Sequence, residues 1–517
     1  MRIINTADYP SEESLGKLSP NNREAMYNGL DCCVTLEILH VLLAELDDTS
    51  RATYQRSLDL RGPILEMSMR GIRIDIARRD RVLLEKQTIH AHVLANFNRI
   101  CVDGIGEAFN YSSTHALKHL FYTTLGLKPI KKRNANGLYV PTVNREALEA
   151  LQLHFWATPL CLHIITLREL DKQIQFLKTG LDADGRIRST FNIAGTNTGR
   201  LASSMSEFGT GTNLQNVDRL LRTIFIPDPG MKFINIDLEQ GDSRNMGAMM
   251  WDIFLESHGA DFAGSYLDAC ESSDLHTRVS QMTWPGLGWT EDPRANRTIA
   301  DQLFYRQDSY RQTSKKLGHG TNYMGQPPTM AKNTKMPVRI IEEFQSGYFT
   351  AFPCIPAYHA WVKQQVKDYG SLTTLHSRRR FFFGRHDDKK VINEAVAYPS
   401  QSMTADAVNK AMISIWRSDL PAQLLCQVHD SLLFQVPAEQ CDDLVPKILA
   451  IGREAATLNL RGGRSFFVPN EAKVGWNWGD FDKSNPDENP NGLITWKGSD
   501  PRAEPAPKTF SVRKLLG

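Results

Sequence analysis

FINIDLEQGDSR, residues 233–244, alternates along its length. Phe233, Asn235 and Asp237 fall on one side and Ile234, Ile236 and Leu238 on the other, the period of two that marks a strand. A carboxylate, Asp237, stands where the apolar run stops. An aspartate at the end of a buried strand is costly unless a cation meets it. Much later in the chain a second carboxylate occupies a matching place. QVHDSLLFQV (427–436) reads as strand, tight turn, strand, with Asp430 in the turn. Carboxylates on adjacent strand ends are a means of holding paired magnesium ions for phosphoryl transfer.

The chain has 517 residues, enough for several domain-sized units. Apolar residues make up 41% and charged residues 23%, the balance of a globular protein. A net charge of only +2 means that any surface for nucleic acid rests on local clustering. Two clusters stand out: Lys128, Lys131, Lys132 and Arg133, and Arg378, Arg379 and Arg380. The eight cysteines are scattered, without a C-x-x-C pair or His/Cys ligand spacing, which points to a reducing compartment and away from structural zinc. The N-terminus lacks the apolar core of a signal peptide. With no unbroken run of about eighteen apolar residues, no membrane span is expected, and a cytoplasmic location is.

Taken in order, 26–46 (MYNGLDCCVTLEILHVLLAEL) reads as a helix. A long helix is expected over 77–100, and another after the cap Ser112, Ser113 and Thr114. A basic loop at 128–133 precedes helices near 144–153 and 159–180. Residues 186–237 have strand and loop character. The stretch 240–360 is mostly helical, with a helix expected from about 301 to 320. A helix over 391–417 leads into the hairpin around Asp430, and 471–476 reads as the last strand. Residues 483–517, rich in proline, Asp and Asn, read as a disordered or loosely docked tail. Two sheet blocks separated by helical blocks close most simply as one shared sheet with helical lobes beside it, an α+β fold.

Between the two carboxylate strands lies SYRQTSKKLGHGTNYMGQ (309–326), where Arg311, Lys315, His319 and Tyr323 recur every four residues. On a helix they drift slowly around one face and span roughly 18 Å of axis. Two cations, an imidazole and an aromatic ring in that order match a nucleotide lying along the face, phosphates at one end and base at the other.

These stretches together resemble a family A DNA polymerase, the bacterial DNA polymerase I type, over at least residues 60–480. DLEQGDSR resembles the family's first palm motif, usually D-Y-S-Q-I-E-L-R. The helix around Arg311 resembles R-x-x-x-K-x-x-x-[FY]-G-x-x-Y-G, and QVHDSLLFQVP resembles Q-V-H-D-E-hydrophobic-F-E. TNTGRLASS with NLQN (196–216), DLHTRVSQM (274–282) and YPSQSMTADAVNKAM (398–412) follow the family order. The resemblance implies a right-hand fold with an antiparallel-sheet palm, helical fingers and a helical thumb. It divides the chain into palm entry (51–75), thumb (76–185), first part of the palm (186–255), fingers (256–370) and second part of the palm (371–482), with 483–517 as tail.

It also implies roles. Asp237 and Asp430, with the Leu238 carbonyl, would hold two Mg2+ ions, with Mn2+ as a substitute, to activate a primer 3′-hydroxyl and steady the leaving pyrophosphate. Arg311 and His276 would contact the triphosphate, with Gln240 beside them, and Lys315 would protonate or neutralise the leaving group. Tyr323 would stack at the template position. Arg200, His429, Asn213 and Gln215 would read the primer–template minor groove, and Gln401 would lie near the templating base. Lys131, Lys132 and Arg133 would meet phosphates from the thumb. Primer–template DNA and dNTPs are the implied partners.

The chain departs from the pattern in several places. Asp242 stands where Glu is usual, the group that excludes a ribose 2′-hydroxyl, so altered ribonucleotide discrimination is expected. His319 replaces an aromatic residue that packs on the sugar. Ser431 replaces a less essential Glu, and Asn393 and Ala397 stand where Arg and Asn are common. At the N-terminus, Tyr27 and Asp31 fit the last motif of a 3′-5′ exonuclease, and 1–50 reads as a remnant of that domain. The expectation is a phage-like enzyme without proofreading of its own, its exonuclease site completed, if at all, by a separate subunit; a processivity subunit is a further candidate partner. The alternatives are a DNA-binding accessory subunit of polymerase fold and a single-subunit RNA polymerase. Asp237, Arg311, Lys315 and Asp430 together argue against the first, and the acid at 242 against the second.

Overall fold

Strand β1 (Met231–Leu238) lies at the centre of a five-stranded antiparallel sheet of order β2-β3-β1-β4-β5. Its partners are β2 (Gln423–Val428), β3 (Ser431–Pro437), β4 (Asn470–Gly475) and β5 (Ile494–Thr495). The computed structural model describes residues 12–134, 136–272, 274–500 and 502. Phe233 and Ile234, on opposite faces of β1, are both fully buried, as a strand covered on two sides requires. Around the sheet gathers a core that includes Leu424, Leu432, Phe434, Val436 and Val474. Register places Ser431 on one side of Asp237 and Glu471 on the other.

Two further cores are helical. Helix α1 (Ile76–Ile105) packs on α2 (Thr158–Leu177), burying Phe97, Cys101, Leu160 and Ile164. Helices α3 (Gly241–His258), α4 (Leu275–Thr283) and α5 (Tyr310–Asn322) belong to the other, with Leu317, Phe344, Tyr348 and Tyr358 inside. Helix α6 (Lys389–Arg417) crosses between the sheet core and the α3 side. The arrangement is the expected α+β right hand: an antiparallel palm sheet with helical bodies beside it.

Several expectations need correction. The helix expected from 301 begins only at Tyr310. Leu303–Tyr305 and Asp308–Ser309 form a hairpin, and Ser309 closes a capping box with Gln312 that fixes the helix start. The basic loop at 128–133 is in part a ribbon, Lys131–Arg133 pairing with Tyr139–Pro141. The strand over 470–475 is not the last, because β5 follows it. The start of the 483–517 tail is docked rather than loose. Trp496 N donates to Ala472 O at 2.8 Å, Asp500 pairs with buried Lys232 at 2.7 Å, and Arg502 donates to the Val474 carbonyl at 3.0 Å. The composition hid this because a short edge strand among polar turns carries little apolar pattern. Residue 501 and residues 503–517 lie outside the described residues.

Near the N-terminus a helix runs over Pro20–Glu45, starting earlier than expected because Ser19 caps it. None of its residues is buried, and by length and composition it is apolar enough to cross a membrane. The expectation of no such segment rested on unbroken apolar runs, and this helix reaches the threshold on average hydropathy. All eight cysteines are free.

Candidate active site

The site begins where β1 ends. Leu238 N donates to the Asp430 carbonyl at 3.3 Å, so the two carboxylate-bearing segments are stitched side by side. His429, with a left-handed φ of 53°, turns the chain between β2 and β3 and presents Asp430. Burial pushes the Asp237 carboxyl up to about 6, and the neighbouring Asp430 and Glu471 carboxylates add to it, with Lys473 pulling back. Asp430 is raised as well, by burial first, while Arg200 beside it works the other way. Arg200 Nη2 lies 3.2 Å from Asp430 and 3.5 Å from Asp242. Buried carboxylates with acidic neighbours, only partly answered by Arg200 and Lys473, form a hard-oxygen site short of positive charge, which suits Mg2+. Among the described residues no group of three or more His, Cys, Asp or Glu side chains is gathered to hold a metal. Two carboxylates fit Mg2+ nonetheless, since this ion keeps waters and substrate phosphates as its other ligands.

Asp430 and Leu238 also line a cavity of about 680 Å³. Its other walls are Gln240, Gly241, Asp242 and Ser243 at the start of α3, Leu275, His276 and Val279 on α4, and Lys315 and His319 on α5, with Tyr266 and Tyr348 behind. Gln240 sits in the left-handed region at φ 56°, and its buried Oε1 has no partner among the described residues. Burial lowers His276 to about 4, and Arg311, Lys315 and His319 add to it, so the ring is neutral near pH 7. Lys315 and His319 are exposed on the cavity side, and Lys316 lines it too while pairing with Asp308 at 2.7 Å. Arg311 does not line the cavity. Its Nε donates to Asp274 Oδ2 at 2.8 Å. Asp274 also caps α4 and accepts from Arg297 at 3.0 Å. Burial would raise the Asp274 carboxyl, but its bonds from Arg311 and Thr277 outweigh that and hold it near about 2.

Tyr323 ends α5 as its C-cap and faces inward, its hydroxyl donating to Asp242 Oδ2 at 3.0 Å. His319 packs edge-on against the same ring.

The residues expected on the primer–template side fall into two groups. Gln215 Nε2 donates to Gln427 Oε1 at 2.8 Å, and Gln427 in turn bonds the His429 carbonyl, so the NLQN segment is tied to the Asp430 hairpin. Asn213 is occupied in capping that segment: its Oδ1 accepts from Gln215 N at 2.9 Å. Gln401, with Asn197, Thr198, Arg380, Asn393 and Ala397, lines a separate open cavity of about 800 Å³. Lys131, Lys132 and Arg133 are exposed on their ribbon, next to the α1–α2 core rather than in the site; Arg133 Nε donates to Gly137 O at 3.0 Å. Tyr27 and Asp31 lie on the exposed Pro20–Glu45 helix.

Sequence reasoning missed four contributors. Asp274 precedes a helix start, and the N-cap preference for Asp was the signal available. Glu471 is set opposite Asp237 only by strand register. Asp406 holds Arg378 under the 196–200 loop, where a β-carbon at Gly199 (φ 83°) would lie 2.7 Å from Arg378 Cζ. Thr404 reaches Asp242 across 162 positions, a separation that leaves no local pattern.

The family model of DNA polymerase family A matches residues 82–480, and the chain belongs to that family. It is 25% identical over 487 residues to DNA polymerase I of Synechocystis sp., covering 85% of this chain and 44% of that protein. Thermostable DNA polymerase I of Thermus aquaticus is 26% identical over 436 residues, with 80% and 46% covered. DNA polymerase I of Deinococcus radiodurans is 28% identical over 442 residues, with 80% and 42% covered. The chain spans a little under half the length of these curated relatives. Among solved structures, the POL domain of Pol1 from M. smegmatis, in complex with DNA primer-template and dNTP, superposes with a TM-score of 0.62 at 22% identity. That match covers 81% of this chain and 70% of the other, and it carries the fold.

Proposed function

We propose that this chain is a template-directed DNA polymerase that adds dNTPs to a primer 3′-hydroxyl by two-metal-ion phosphoryl transfer. The observation that carries the reading is the placement of Asp237 and Asp430 beside a cavity whose far wall offers Lys315 and His319. Asp237, Asp430 and the Leu238 carbonyl would hold two Mg2+ ions, which supply activation of the attacking hydroxyl and charge neutralisation on the phosphates. The chain's own groups do the rest. Lys315 carries its ammonium where the triphosphate would lie and neutralises the leaving group. Neutral His276 hydrogen-bonds to a phosphate oxygen without adding charge. Arg311, oriented by Asp274, is poised next to this wall. Gln240, on the same wall, lies beside the nucleotide. Asp242 bounds the sugar, and Tyr323, held on Asp242, closes the base end. Arg200, Gln215 and His429 face the primer terminus, and Gln401 the template.

The same reading gives this chain no proofreading of its own: Tyr27 and Asp31 sit on a helix without a single buried residue, unlike an enclosed exonuclease centre. A host cytoplasm, DNA and dNTPs complete the proposal, with a separate exonuclease or processivity subunit as further partner.

Primer extension with Mg2+ and the four dNTPs tests it. Wild type extends the primer, and Asp237→Ala and Asp430→Ala each lose at least about a thousandfold in rate, the scale of removing a charge-stabilising group. No extension by the wild type would leave the chain as a DNA-binding subunit of polymerase fold.

A further inference from the structure

Asp242 is anchored at both of its oxygens. Oδ2 accepts from Tyr323, and Oδ1 accepts from the Thr404 hydroxyl at 2.8 Å. Thr404 is fully buried on α6. Its hydroxyl has one proton and two acceptors in reach, Asp242 Oδ1 and the Ser400 carbonyl at 3.0 Å. The charged acceptor makes the shorter and stronger bond. Asn245 Nδ2, buried on the next turn of α3, donates into the same hydroxyl at 3.0 Å, so the oxygen accepts one bond while its own proton is left to donate. The methyl of Thr404 presses on the α3 start as well: a β-carbon at Gly241 would sit 2.9 Å from Thr404 Cγ2. One buried threonine thus sets both the backbone at 241 and the carboxylate at 242, on the wall of the cavity that also holds Lys315 and His319.

We infer that Thr404 is a positioning residue for nucleotide selection: its hydroxyl holds the short Asp242 side chain against the sugar edge of the cavity, so that a ribose 2′-hydroxyl meets a fixed carboxylate. The inference rests on the polymerase reading above. A carboxylate tied at both oxygens has little freedom to swing away, so it acts as a barrier. Released at Oδ1, it rotates about the Tyr323 bond and yields space to the extra oxygen.

The test compares kcat/KM for a dNTP and the rNTP of the same base in single-nucleotide extension. Thr404→Val keeps the shape and removes the hydroxyl. It should raise the rNTP-to-dNTP ratio by about tenfold, the scale of one lost charge-assisted hydrogen bond, through a lower KM for the rNTP. Thr404→Ser, which restores the hydroxyl, should return the ratio to within about twofold of wild type. Where thermal melting shows that Thr404→Val does not fold, Thr404→Ala replaces it with the same expected rise. A ratio that stays or falls in the hydroxyl-free variant, or one that rises equally in Thr404→Ser, overturns the inference while leaving the polymerase intact. No extension by wild type removes the polymerase reading and this inference with it.

Discussion

Arg378 donates to both carboxylate oxygens of Asp406, at 3.1 Å from Nε to each and 2.7 Å from Nη2 to Oδ1, and the Asp406 side chain is entirely shielded from solvent. Arg56 adds a second guanidinium at 2.8 Å. A helix near the N-terminus, the hairpin of Ser371–Thr373 with Arg379–Phe381, and α6 thus meet on one carboxylate. Removing the charge strands two buried guanidinium groups, which costs about 3–5 kcal/mol. Asp406→Asn should show that loss in urea denaturation. It should also weaken extension, because the loop carrying Arg200 rests on Arg378 and on Asn409, whose Nδ2 donates to the Gly199 carbonyl at 3.1 Å.

Asp274 combines a helix cap with an arginine clamp. Asp274→Ala loses both, and an unfolding penalty of about 1–3 kcal/mol is expected, about 1 kcal/mol from the cap alone. Asp274→Ser keeps a capping oxygen and should recover only the cap's share. Equal stability of the two variants would show that the Arg311 and Arg297 contacts add nothing.

The exposed ribbon bearing Lys131 and Lys132 is proposed to meet DNA phosphates. With both changed to alanine, primer–template affinity should fall, and the slope of log K against log salt should shrink by about two, one per lost phosphate contact. Fluorescence anisotropy across a salt series reads this directly. An unchanged slope places the ribbon off the DNA.

His359 gives a pH dependence with a defined sign. Burial first of all lowers its imidazole to about 4, with Lys363 adding to it and the bond to the Asn322 carbonyl opposing. In the unfolded chain the ring titrates near about 6.5. Between those values the unfolded chain binds a proton that the folded one does not. The stability linked to this ring is therefore full above pH 6.5 and is lost as pH falls toward 4. His359→Gln can still donate to Asn322 O, and should flatten the stability-against-pH curve in that window by about one proton, or about 1.4 kcal/mol per pH unit.

A 3′-mismatched primer tests the exonuclease side. Purified protein should leave it intact in the absence of dNTPs. Degradation that disappears in Asp31→Ala would overturn the proposal.

The parts of this fold legible in the sequence are those with a local physical signature. The alternation around Asp237 and the hairpin around Asp430 follow from strand periodicity and turn chemistry. The four-residue recurrence through Lys315 placed its helix, although the capping box at Ser309 set the start later than the composition suggested. What stayed hidden depends on distant partners. Glu471 lies opposite Asp237 through register alone, and β5 holds its place through Trp496 and Asp500 rather than through its own pattern. Arg311 reads as a phosphate ligand from spacing, yet its present partner is Asp274, a contact set by how α4 packs on α5.

Lys232, 3% exposed inside β1, takes its counter-ion from Asp500. The strand that carries Asp237 is therefore electrostatically complete only when nearly the whole described chain has been made. Its neighbours β3 and β4 also come roughly two hundred residues later, pairings of high contact order that form slowly. The helical cores pair elements closer in sequence, such as α1 with α2, whereas β1 depends on partners far along the chain. Without Asp500, β1 would hold a buried ammonium that has lost its counter-ion, so the segment beyond β4 neutralises the strand that carries Asp237 as well as extending the sheet.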